Sequence, residues 1–98
     1  MNPTPSHVYR NAATHRFEMM VDGQMARAEY ILSDGKMVLT HTFVPSELRG
    51  RGIAADLIRH VLEAAKSEGL KIVPQCSYVA TFIDCNPEFK SLVESSEK

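Results

Sequence analysis

The sequence is short of three things: cysteine, long apolar runs and an excess of charge of either sign. Only two cysteines, Cys76 and Cys85, occur in 98 residues, and neither His7 nor His15 has a cysteine at the spacing of a zinc site. The opening Met-Asn-Pro-Thr-Pro-Ser carries no apolar run of the secretory kind, so both thiols are expected to be reduced and the location cytoplasmic. The uninterrupted apolar stretches are a few residues long, far below the ~20 needed to cross a bilayer, so no membrane partner is expected. With a net charge of -1 there is no global positive field to draw in nucleic acid or an anionic surface. Any anion site must therefore be local.

What is present suits a folded globular chain: 44% hydrophobic and 23% charged residues. The length allows one domain with one core. Residues 1–14, with two prolines among small polar residues, read as a flexible lead-in in which Val8 and Tyr9 could dock. The single domain is expected over residues 15–94, followed by a polar tail at 95–98.

From His15 the chain alternates. Phe17, Met19 and Val21 point one way while Arg16, Glu18 and Met20 point the other, which predicts a half-buried strand. Asp22-Gly23 then supplies the residues of a tight hairpin, and Ala26, Ala28, Tyr30 and Leu32 resume the alternation. A second pair, Asp34-Gly35, turns the chain into a strand running from Met37 to Val44, completing a three-stranded antiparallel meander. Pro45 ends that strand. Apolar residues at Ile53, Leu57, Ile58, Val61, Leu62 and Ala65 make one stripe of an amphipathic helix that ends near Glu68, with Gly69 as a left-handed cap. Leu70 to Val73 is the next strand, and a crossover of this length returns it parallel to Met37–Val44. Two short helices follow, over Ser77–Asp84 with Ser77 as cap, and from Asn86-Pro87 through Phe89, Leu92 and Val93. The predicted class is α/β (α+β): an antiparallel β-meander, a βαβ crossover with a parallel strand pair, and short C-terminal helices.

The loop between the third strand and the long helix reads Arg49-Gly50-Arg51-Gly52. Glycines allow a ligand to approach the backbone closely, and a helix N-terminus presents unpaired N–H groups with roughly half a positive charge. Such a place attracts phosphate. The spacing matches neither a dinucleotide Gly-x-Gly-x-x-Gly nor a P-loop ending in Gly-Lys-Ser/Thr.

Arg49-x-x-Gly52-x-Ala54 resembles the Arg/Gln-x-x-Gly-x-Gly/Ala signature of the GNAT acetyltransferase superfamily. Together with His41-Thr42-Phe43-Val44-Pro45, Pro74-Gln75-Cys76-Ser77-Tyr78-Val79 and Asn86-Pro87-Glu88-Phe89, it resembles the small single-domain, YjdJ-type members of that superfamily. The resemblance spans about Phe17 to Val93. It implies a GNAT-like fold with acetyl-CoA (coenzyme A) as cofactor: the pyrophosphate on Arg49, Gly50, Arg51, Gly52, Ile53 and Ala54, and the pantetheine between two splaying strands, flanked by Phe43 and Val44. Larger GNAT enzymes shape the acceptor site with two helices between their first two strands, a position occupied here by Asp22-Gly23-Gln24. The acceptor pocket is therefore expected to be open or built differently.

Three side chains are candidates for the chemistry. Cys76, close to a helix N-terminus, is either a small buried hydrophobe or a nucleophile or base, and the resemblance implies a catalytic group at this position. His41, placed by alternation on the same face as Leu39 and Phe43, is either a core histidine or the general base. Tyr78 either packs as an aromatic or protonates the leaving thiolate. Cys85 reads as structural, and Glu47 and His60 as solvated. The expected function is transfer of an acetyl group from acetyl-CoA to a small-molecule or peptide amine by a monomer or weak dimer, with direct attack as the default mechanism and an acyl-Cys76 relay as its variant. The alternative is a non-catalytic acyl-CoA-binding or interaction module. A nucleic-acid-binding role for Arg49, Arg51 and Arg59 is disfavoured by the acidic total.

Overall fold

A computed structural model describes residues 7–93. The chain runs β1 (His7–Asn11), β2 (Arg16–Val21), β3 (Gln24–Ser33), β4 (Lys36–Phe43), a 3-10 turn (Ser46–Leu48), α1 (Ile53–Ser67), β5 (Lys71–Pro74), α2 (Ser77–Cys85) and a 3-10 helix (Pro87–Leu92). The five strands form one sheet in sequence order. The first four are antiparallel neighbours, and β5 lies parallel to β4 with Lys36 opposite Lys71 and Leu39 opposite Pro74.

Both predicted hairpins carry left-handed residues at their tips. Asp22 and Gly23 have φ of 52° and 77°, and Asp34 and Gly35 have 51° and 76°. These are the signs a type I′ turn requires, and they match the right-handed twist of the flanking strands. The meander, however, has four strands. Residues 7–11, assigned to the flexible lead-in, pair with β2, with Val8 opposite Met19, and Val8 packs against the core. Short and flanked by polar residues, β1 gives little periodicity of its own; its partner strand holds it in place. Residues 1–6 and the 95–98 tail lie outside the described residues.

One face of the sheet carries Phe17, Met19, Ala26, Ala28, Tyr30, Met37, Leu39 and Ile72. Against it lies the apolar stripe of α1, in which Leu57, Ile58, Val61, Leu62 and Ala65 are all fully buried. Each buried leucine, isoleucine or valine contributes about 1.5–3 kcal/mol relative to exposure. Gly69, at φ 72°, closes α1, and Leu70 N–H reaches back to Ala65 O at 2.9 Å. Val79, Phe82 and Ile83 of α2 and Phe89 of the final 3-10 helix complete the same core. That last element is tighter than the α-helix the sequence suggested. Asn86 spends its side chain elsewhere: its Nδ2 donates to Phe82 O at 2.8 Å and its Oδ1 accepts from Arg59.

A β-bulge decides which way the end of β4 faces. Tyr30 sits opposite Leu39, but its neighbour Glu29 sits opposite His41, so Thr40 is the extra residue. Alternation resets there. Leu39 points into the core, whereas His41 shares the opposite face with Asn11, Arg16 and Glu29, and Phe43 shares it with Tyr9, Glu18 and Arg27. The expected common face of Leu39, His41 and Phe43 is thus corrected: His41 is exposed, and it is not a core histidine.

Candidate functional site

The last parallel partners are Leu39 and Pro74, after which β4 continues to Phe43 while the other chain turns away. One more bond crosses the widening gap, from Cys76 N–H to Leu39 O at 2.9 Å. Beyond it lies a cavity of about 490 Å³ lined by Thr42, Val44, Leu48, Arg49, Gly50, Gly52, Ile53, Ala54, Ala55 and Tyr78. Its size is that of a small-molecule site. Most of the wall is glycine loop and helix start, with Thr42 of β4, Val44 and Leu48 after it, and Tyr78 of α2 making up the rest.

The loop is built to leave room. Gly50 and Gly52 adopt φ of 82° and 75°, and a Cβ added to either would meet nothing within 4 Å. The glycines are therefore needed for backbone conformation, and the space in front of them is empty of protein. Gly52 caps α1, and the first intrahelical bond is Asp56 N–H to Gly52 O at 3.1 Å. The amides of Ile53, Ala54 and Ala55 precede it, so the helix itself offers them no acceptor. An anion placed there meets both these donors and the positive end of the helix dipole. Arg49 lines the cavity and is steadied by an Nε bond to Val44 O at 3.1 Å. The residues present fit the diphosphate end of a coenzyme A.

The structure gathers Val44, Arg49, Gly50, Gly52, Ile53 and Ala54 around the cavity. Cys76 is not among the lining residues, and the two other residues assigned to the cofactor lie elsewhere. Arg51 turns to the β2–β3 hairpin, where its Nη1 pairs with Asp22 Oδ2 at 3.0 Å. Phe43 lies on the far face of the sheet beneath the Arg27 guanidinium, 4.8 Å from the ring centroid, because of the bulge at Thr40. Thr42, which the sequence reading did not single out, takes the inward position instead. The polar run Thr40-His41-Thr42, interrupting Met37/Leu39 alternation, is the one signal that could have revealed it.

Cys76, rather than Ser77, occupies the N-cap of α2. Its sulfur lies 3.4 Å from Thr42 Oγ1. Burial pushes the thiol up, but the Thr42 hydroxyl and the backbone of Val79 and Tyr78 outweigh it, leaving Cys76 below its ordinary range. Tyr78, at the cavity wall, is pushed above the usual phenol range by burial, with Cys85 adding to the effect. It keeps its proton at neutral pH. Cys85 itself is exposed at the other end of α2, which does not suit the structural role assigned to it. His41 is not in the cavity lining. It faces Glu29, whose carboxyl is held below the usual range first by Arg27, against some desolvation, with His41 contributing.

A family model for GCN5-related N-acetyl-transferases matches residues 16–92. The chain belongs to this family. It is similar to Protein NATD1 of Mus musculus, 34% identical over 89 residues that cover 85% of this chain and 78% of that one. Protein NATD1 of Xenopus tropicalis is 33% identical over 94 residues, covering 89% and 84%. The fold matches the solution structure of a GCN5-like protein from Staphylococcus aureus with a TM-score of 0.73 at 22% identity, over 97% of this chain and 94% of the other. With β1 in place, the first two strands are joined by the short turn Ala12–His15, and it is that turn, not Asp22-Gly23-Gln24, which stands where larger members carry two helices. Among the described residues no helix is long and apolar enough to cross a membrane.

Proposed function

We propose that the protein binds acetyl-CoA at the β4–β5 splay and transfers the acetyl group to an amine, with Cys76 taking the acyl group first. One observation carries this reading: a single cavity is walled on one side by empty-fronted glycines at a helix start, and on the other by Tyr78 and by Thr42, whose hydroxyl lies against the Cys76 sulfur. The amides of Ile53, Ala54 and Ala55, with Arg49, would hold the diphosphate, and Val44 and Leu48 would line the path of the pantetheine. When bound, the cofactor supplies an acetyl thioester. Cys76 presents a sulfur whose thiolate is favoured by its neighbours. Tyr78 keeps a proton at its hydroxyl for the departing thiolate. His41 stands on the opposite face of the sheet, where it can take the proton of an amine arriving from that side. Arg51 is available to the diphosphate only by giving up Asp22, an exposed pair contributing about 0–1 kcal/mol.

Incubation with acetyl-CoA alone tests the cysteine route. Mass spectrometry is expected to show one added acetyl group on the protein and on Cys85→Ser, and none on Cys76→Ala. Acetylation of an amine with no adduct at any time point would instead assign direct attack, with His41 as the base. The second reading, a domain that binds acyl-CoA without turnover, is favoured by the Ala12–His15 turn, which leaves no helical wall around an acceptor. It predicts binding with no product across a panel of small and peptide amines. Monomer or weak dimer and a cytoplasmic setting complete the proposal.

A further inference from the structure

The bulge at Thr40 has a chemical effect beyond exposing His41. It turns Thr42 inward, opposite Ala28 on the core face of β3, to a place where regular alternation would put an outward residue. There the hydroxyl meets a sulfur fixed from the other side of the splay. Cys76 is held by its N–H on Leu39 O at 2.9 Å and by its carbonyl, which accepts from Ala80 N–H at 3.2 Å. The Oγ1 to Sγ distance is 3.4 Å, across 34 residues of chain. A β-branched side chain on a strand has few χ1 states, so this hydroxyl is a fixed partner rather than a mobile one. Thr42 also lines the cavity, so the contact sits at its wall.

We propose that Thr42 is the positioning residue for Cys76: its hydroxyl donates to the sulfur, orients it at the edge of the splay and supports the thiolate there. Thr42 acts through Cys76 and needs no contact with the acyl group. The inference rests on reading Cys76 as the acyl-accepting thiol, but its physical content concerns the thiol alone. The direction of the thiol's displacement agrees with it, because the Thr42 hydroxyl leads the influences that lower the Cys76 pKa against burial. The other supports are the backbone at Val79 and Tyr78 of α2 and that of Thr42 itself, which Thr42→Val leaves in place. The titratable side chains on the elements packed around the sulfur are His41 on the opposite face of β4, Lys36 and Lys71 at the far ends of β4 and β5, and Tyr78, Asp84 and Cys85 on α2.

The test follows the rate of alkylation of Cys76 by iodoacetamide as a function of pH, with no acetyl-CoA present, in a Cys85→Ser background. Thr42→Val keeps the shape and removes the hydroxyl; Thr42→Ser keeps the hydroxyl. The midpoint of the rate profile is expected to move up in Thr42→Val. Below the midpoint, alkylation should slow on the order of fivefold, the worth of one ordinary hydrogen bond to the reacting group. Thr42→Ser should stay near the parent. A folded Thr42→Val with the parent midpoint overturns the proposal, as does a Thr42→Ser shifted equally far. If Thr42→Val does not fold by circular dichroism, Thr42→Ala carries the same expectation. The acetyl adduct on the unsubstituted protein is read separately, so failure of the acyl-transfer reading and failure of the Thr42 assignment give different results.

Discussion

Replacing Gly52 by alanine, with Gly69→Ala as its partner, separates what a left-handed glycine does for the fold from what it does for a ligand. The two positions are matched. Gly52 has φ 75° at the start of α1 and Gly69 has φ 72° just past its end, and an added Cβ would meet nothing within 4 Å at either. An alanine in this conformation costs about 1–2 kcal/mol. Restriction of the unfolded chain returns about 0.4–1 kcal/mol, so each variant should lose roughly 1 kcal/mol. In a domain of this size that lowers Tm by about 4–8 °C, measurable by circular dichroism. Only at Gly52 does the new methyl group stand in the wall of the cavity. Coenzyme A affinity measured by calorimetry should therefore fall about tenfold or more in Gly52→Ala, a loss of ~1.4 kcal/mol, and stay unchanged in Gly69→Ala. Equal affinity in the two variants would refute the claim that the loop backbone meets the diphosphate.

Leu62, fully buried in the α1 stripe, should cost about 2–5 kcal/mol when cut to alanine, read as a shift of the denaturant midpoint without loss of slope. Little change would mean that α1 is not packed as described. The outer sheet face gives a pH prediction. Glu18 is buried and, although desolvation raises its pKa, the Arg16 and Tyr9 hydrogen bonds and the Asn11 contact bring it below the usual carboxylate range. A depressed folded pKa means that stability is present above the unfolded value near pH 4 and is lost as pH falls through the folded one. Glu18→Gln should therefore be less stable at pH 7 and flatter in its acid branch than the unsubstituted chain; parallel acid branches would contradict the assignment.

Much of the fold is legible in the sequence because its signals are local. Asp22-Gly23 and Asp34-Gly35 specify hairpins through backbone sign, the α1 stripe through period, and Gly69 through its cap. What failed to show was decided by pairing. β1 becomes a strand because β2 offers it an edge, and five residues do not announce that by composition. The bulge at Thr40 is likewise a property of two strands, and reading β4 alone places His41 and Phe43 on the wrong face. The placement of the glycine loop at the start of α1 was legible, since its free amides are backbone groups fixed by sequence position. Side chains around it were less so: the turn of Arg51 toward Asp22 and of Thr42 toward Cys76 depends on elements distant in the chain.

The central claim is that main-chain donors at the start of α1 receive the diphosphate of coenzyme A. Amide NMR shifts followed during a titration of the unsubstituted protein with acetyl-CoA test it most directly. The account predicts saturable shifts concentrated at Arg49 to Asp56, with a second group at Thr42 and from Cys76 to Val79. No shifts at millimolar ligand, or shifts confined to the far sheet face around Glu18, Glu29 and His41, would contradict it.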